Sequence, residues 1–199
     1  MGVLTRASSR GQVKFLVHIT RSHGILRRYL VVNGFDGALA MLGLNVGFYV
    51  GGAVDPAVAL TACLGAAIAL GMSGLTSAYI SESAERRRWL KELEDAMVED
   101  LRESAHGTAS RIVPLLVAAV NGVAPLLISL FITIPWWLTH SGVTSGLHPA
   151  ETAITLAFLA VFSLGVFLGQ VSGTSWLWSG VKAALIALVT TLLILLLGS

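Results

Sequence analysis

Charge is what this sequence has least of. Charged residues make up 12% of the 199-residue chain, against about 25% in a soluble domain. Residues 57–81, 112–150 and 152–181 contain no Asp, Glu, Lys or Arg at all. Cysteine is nearly absent too. Cys63 is the sole thiol, which excludes an intrachain disulfide and a cysteine metal cluster. There is no phosphate-binding loop and no H-E-x-x-H pattern. Gly71-Met72-Ser73-Gly74 matches the G-x-S-G pattern of intramembrane serine proteases. However, His18, His23, His106, His140 and His148 all fall outside the apolar runs, so the serine lacks a histidine base within the membrane. Neither an enzyme nor a bound cofactor is expected.

What is present is apolar length. Runs of about 20 apolar residues cross a bilayer as helices, and five occur, at about 29–51, 56–80, 112–136, 152–171 and 176–197. The expected fold is an all-α membrane protein with five transmembrane helices and a further cytoplasmic helix between the second and third. Residues 1–28 form a basic N-terminal segment. Residues 29–199 form the membrane domain, with a helical insertion at 82–110. Val13, Leu16, Val17 and Ile25 give the N-terminal segment a weakly amphipathic pattern suited to a lipid surface. The first apolar run starts too late and is too long for a cleavable signal peptide.

The basic residues orient these spans. Arg6, Arg10, Lys14, Arg21, Arg27 and Arg28 precede the first span, and Arg86, Arg87, Arg88, Lys91, Arg102 and Arg111 lie between the second and third. Lys182 is the thirteenth. Positive charge marks the cytoplasmic side, so the N-terminus and the 82–111 loop are expected inside and the C-terminus on the opposite side. The net charge of +2 is then a topological signal and does not call for a nucleic-acid partner.

Against this background Asp36 stands out. It lies about seven residues, or roughly 10 Å, into the first span. There a charge costs about 2.5–3.5 kcal/mol on insertion scales, and its short stem cannot reach the surface as a lysine does. Asn33 lies one turn before it and Met41 just over a turn after it. Span two offers Met72 and, at its inner end, Glu82. A carboxylate with thioether neighbours and the hydroxyls of Ser73, Thr76, Ser77 and Tyr79 suits a partly dehydrated transition metal. One Asp is too few ligands, but two copies about a twofold axis would double the set. The alternatives are a protonated or capped carboxylate bonded to a neighbouring helix, or an ion pair with Lys182.

Two further patterns accompany it. Gly43, Gly47 and Gly51 in the first span, and Gly165, Gly169 and Gly173 in the fourth, repeat every fourth residue, as helices in close contact do. Pro114, Pro125 and Pro135 interrupt span three beside Asn121, and a kink there would expose carbonyls. In the 82–106 segment, Glu92, Asp95, Glu99 and Glu103 fall along one helical stripe, with Arg88–Glu92 and Lys91–Asp95 at ion-pair spacing. That stripe is either a solvated, ion-paired face or a collector of divalent cations.

The run Arg28-Tyr29-Leu30-Val31-Val32-Asn33-Gly34-Phe35-Asp36-Gly37-Ala38-Leu39 resembles the opening of the vacuolar iron transporter family, whose first helix carries an Asn-Asp-Gly signature. Tyr79-Ile80-Ser81-Glu82-Ser83-Ala84-Glu85 resembles that family's Tyr-Val-Ser-Val-x-Ser-x-x-Glu region. The resemblance implies a homodimeric carrier that exports Fe²⁺ or Mn²⁺ from the cytoplasm in exchange for protons, with Asp36 in the pathway. Phe35 replaces the signature Asn, and Gly74 and Ala78 stand where the family has Met and Glu. A non-transporting membrane scaffold with the family fold is the alternative reading.

Overall fold

A computed structural model describes residues 22–198 except Ala53, Arg102, Thr144 and Ser145. The amphipathic pattern at Val13, Leu16 and Val17 lies outside the described residues. Five helices account for nearly all of the rest: α1 (Ser22–Val50), α2 (Pro56–Met97), α3 (Ala105–His140), α4 (Pro149–Ser172) and α5 (Trp176–Gly198). All five are long and apolar enough to cross a membrane, so the chain has the build of a multi-pass integral membrane protein.

The cytoplasmic helix expected between spans two and three is not a separate element. Nothing in residues 80–84 interrupts helical hydrogen bonding, so α2 runs on unbroken for 42 residues, about 63 Å. That is twice a ~30 Å hydrocarbon core. Its start is fixed by Asp55, whose side chain accepts from the Ala57 N–H at 2.8 Å, with Pro56 in the first turn.

The end of α2 is where the sequence pattern misleads. The acidic stripe continues to Glu103, but the helix stops at Val98, which takes the left-handed conformation (φ 53°, ψ 38°). Three features hold the reversal. The Leu101 N–H donates to Glu94 Oε1 at 3.0 Å, and the Leu101 side chain is buried. The Ser104 hydroxyl then caps α3 by accepting from the N–H groups of His106 and Gly107.

α3 is the axis of the bundle. It carries Pro114, Pro125 and Pro135 in one continuous helix, all three buried. α2 packs chiefly along α3. α1 packs on α3 and α4 and touches α2 only lightly, and α4 pairs with α5. The main core gathers Met41, Leu42, Val46, Cys63, Ile132, Trp136 and Val161. Within it Trp136 Nε1 donates to Asn45 Oδ1 at 2.6 Å, and Asn45 Nδ2 donates to the Met41 carbonyl at 2.7 Å. A buried amide is thereby satisfied without water.

Left-handed φ costs a β-branched residue about 1–2 kcal/mol, and Val98 is 92% exposed, so its side chain contributes little packing. Val98→Asn should therefore raise stability by about 0.5–1 kcal/mol, read as a higher midpoint of thermal unfolding in detergent. A lower midpoint would show that the valine is engaged.

Candidate functional site

The geometry around Asp36 is set by its neighbours on α1. Asn33 Nδ2 donates to Asn121 Oδ1 of α3 and, at 2.9 Å, to the Tyr29 carbonyl. Asn121 Nδ2 in turn donates to the Gly74 carbonyl of α2 at 2.5 Å. One buried amide thus ties three helices together. Because Pro125 has no N–H, the Asn121 carbonyl four residues earlier has no intrahelical donor. It lies against Gly74, where an added Cβ would sit 2.6 Å from it. Gly122 and Gly71 meet in the same crossing. Gly37 is pressed onto the Pro125 backbone, with its missing Cβ 2.8 Å from Pro125 Cα. The G-x-S-G glycines, Gly71 and Gly74, are therefore packing residues.

With Asn33 and Gly37 turned toward α3, Asp36 lies about 60° round the helix from one and about 100° from the other, on the flank of α1. It is exposed on the protomer surface near the middle of α1, and among the described residues it forms no ion pair. Lys182 is not its partner. That ammonium lies over the Trp178 ring, 6.0 Å from the centroid. Along the same side of α1 follow Ala40, Gly43 and Gly47. Among the described residues, a Cβ at Gly43 would meet only Ile194 Cδ1, at 3.6 Å, and one at Gly47 would meet nothing within 4 Å. The matching stripe on α4 is used up within the protomer: Gly165 faces Ala183 and Ser179, and Gly169 faces Ser179 and Trp176. Gly173 caps α4 in the left-handed region.

The remaining candidate ligands scatter. Met41 is fully buried in the core, its Sδ 4.0 Å from the Thr133 hydroxyl. Its five-residue offset carries it well round the helix from Asp36, so packing explains it. Met72 is 58% exposed on α2, on the side away from the α3 crossing. Glu82 is buried and bound to Arg86 Nε at 2.7 Å. Glu92 pairs with Arg88 at 2.9 Å, as its spacing predicts, whereas the expected Lys91–Asp95 pair is not formed. The expected carboxylate stripe is broken by the Val98 reversal. Glu92 and Asp95 ride on α2, while Glu99 and Glu103 lie in the connection. Among the described residues no three His, Cys, Asp or Glu side chains gather as a metal site.

Asn121 and Asn45 organise the protomer in ways that spacing alone did not reveal. The available signal was polarity: each is an amide in an apolar span, and such a group needs an internal partner.

Comparison with known proteins places the chain beside an uncharacterized protein of Methanocaldococcus jannaschii (MJ0645), 29% identical over 83% of this chain and 85% of that one. No protein-family model matches, and no solved structure matches.

The three-helix junction and the open glycine face make opposite predictions. Gly74→Ala should cost about 1–3 kcal/mol through overpacking against Asn121. Asn121→Ala should cost about 1–2 kcal/mol, the range for interhelical hydrogen bonds in membranes. Gly47→Ala should leave the stability of the isolated protomer within about 0.5 kcal/mol. Unfolding midpoints of the three variants in detergent check this. Equal effects at Gly74 and Gly47 would contradict the assignment.

Proposed function

We propose that this chain is a homodimeric carrier for a divalent transition metal, Fe²⁺ or Mn²⁺, exporting it from the cytoplasm in exchange for protons. The observation that carries the reading is Asp36, an exposed acid near the middle of α1 with no ion pair among the described residues, beside a glycine face that α5 touches at Gly43 and that is open at Gly47. Lipid is a poor solvent for that group. A second copy related by a twofold axis would remove it from lipid and bring two carboxylates to one place. The Asn33 Oδ1 atoms, which accept no bond among the described residues, would add two oxygens. Oxygen ligands of this kind suit Mn²⁺ and Fe²⁺.

The proton exchange is what the family resemblance implies. The resemblance of the Asn33–Gly37 run to the iron transporter signature supports the choice of metal. The positive-inside pattern supports an inward-facing N-terminus and Glu82–Arg86 end of α2, with the C-terminus on the opposite side. Met72 is exposed on α2, so its thioether is open to a partner chain.

A scaffold without transport is the second reading. It draws on the absence of a three-ligand cluster among the described residues of one protomer.

Metal flux into proteoliposomes separates the two. Asp36→Asn should lower Mn²⁺ and Fe²⁺ flux by more than about tenfold, the low end of the effect of disturbing a metal's immediate surroundings. Gly47→Leu should lower flux and also shift the protein from dimer to monomer in light scattering. Equal flux in wild type and Asp36→Asn would remove the acid from the mechanism, and absence of flux in wild type would favour the scaffold.

A further inference from the structure

At the charged end of the α2–α3 pair, the arginines divide into two kinds. Arg86 is bound to Glu82 and Arg88 to Glu92. Arg87 and Arg111 have no carboxylate within ion-pair distance among the described residues, yet both border one cavity of about 380 Å³. Its other walls are Tyr79, Ser83, Leu90 and Ser110. Residues 79, 83, 87 and 90 follow one stripe of α2 at helical spacing, turned toward the start of α3. The acids Glu85 and Glu92 line a separate hollow with Ser81, Ala84, Arg88 and Trp89. On its far side Arg111 borders a hollow that also holds Asp100 and Glu103, outside ion-pair range of it.

The cavity sits where charge begins on both helices. The charge-free window of α2 ends at Ser81, and that of α3 starts just after Arg111. Two guanidiniums around one hollow repel each other, and a shared anion offsets that repulsion. Guanidinium forks match phosphate oxygens, and the Tyr79 and Ser83 hydroxyls are further donors. The Ser110 hydroxyl is already bonded to the Gly107 carbonyl at 2.8 Å and retains acceptor capacity.

The surroundings choose between a free phosphate and a lipid. One turn deeper on the same stripes lie Leu75, four residues before Tyr79, and Leu115, four residues after Arg111. They are 41% and 58% exposed. A phosphate held at the arginines would have an apolar track for an acyl chain directly beneath it. We infer that the cavity bounded by Arg87 and Arg111 is a binding site for the phosphate headgroup of an anionic phospholipid, whose chain lies along Leu75 and Leu115. Basic hollows between helices at the cytoplasmic surface bind such headgroups by the same physics.

The test is native mass spectrometry of the detergent-purified full chain, with phosphatidylglycerol, phosphatidylcholine or inorganic phosphate added at equal concentration. Wild type should retain phosphatidylglycerol in preference to the other two. Arg87→Gln and Arg111→Gln should each weaken that retention about fivefold, the worth of one basic residue at an anionic surface. Lys91→Gln removes the same charge four residues along α2, outside the cavity, and should change little. Thermal unfolding of each variant without lipid identifies any that fail to fold, and Arg87→Lys then serves in place of Arg87→Gln, with weaker retention expected because the fork is lost. Equal retention of phosphatidylglycerol and phosphatidylcholine would overturn the proposal. So would an equal response to inorganic phosphate, or an equal loss in Lys91→Gln.

Discussion

The structure depends on one buried amide. In hydrocarbon every polar group must find its partner within the protein, and Asn121 is where three helices meet that demand together. Its side chain links Asn33 on α1 to the Gly74 carbonyl on α2. The glycines at 37, 71, 74 and 122 let the backbones close around it. The rotation of α1 about its axis is fixed as a result. With Asn33 held inward and Gly37 seated on Pro125, Asp36 falls on a flank of α1 that the protomer leaves exposed.

Close packing and open surface therefore divide the two glycine stripes, which look alike in the sequence. The α4 stripe is filled by α5. The α1 stripe meets α5 at Gly43 and is open at Gly47, on the acid's side of the helix. The proposed twofold partner would cover the second stripe and the carboxylate beside it, which has no ion pair among the described residues.

Five spans were legible because absence of charge over 20 or more residues has few structural meanings. The Arg88–Glu92 pair was equally local and equally readable. The end of α2 was not. Periodicity carries on through Val98, and the reversal there is held by side-chain-to-backbone bonds of Glu94 and Ser104 with Leu101. Apolar and acidic spacing does not encode bonds of that kind. Met41 shows the same limit. Its closeness to Asp36 along the chain suggested a ligand, but a five-residue offset sends it to the far side of the helix, into the core with Thr133. Glu82 and Glu92 were visible as acids, while the arginines that engage them compete with any metal.

The central claim is that two copies of Asp36 form one site. Isothermal titration of the purified chain in nanodiscs with Mn²⁺, in two buffers of different ionisation enthalpy, tests it directly. The account predicts one ion bound per two chains, with protons released on binding and no such binding to Asp36→Asn. One ion bound per chain, or binding undiminished in that variant, would contradict it.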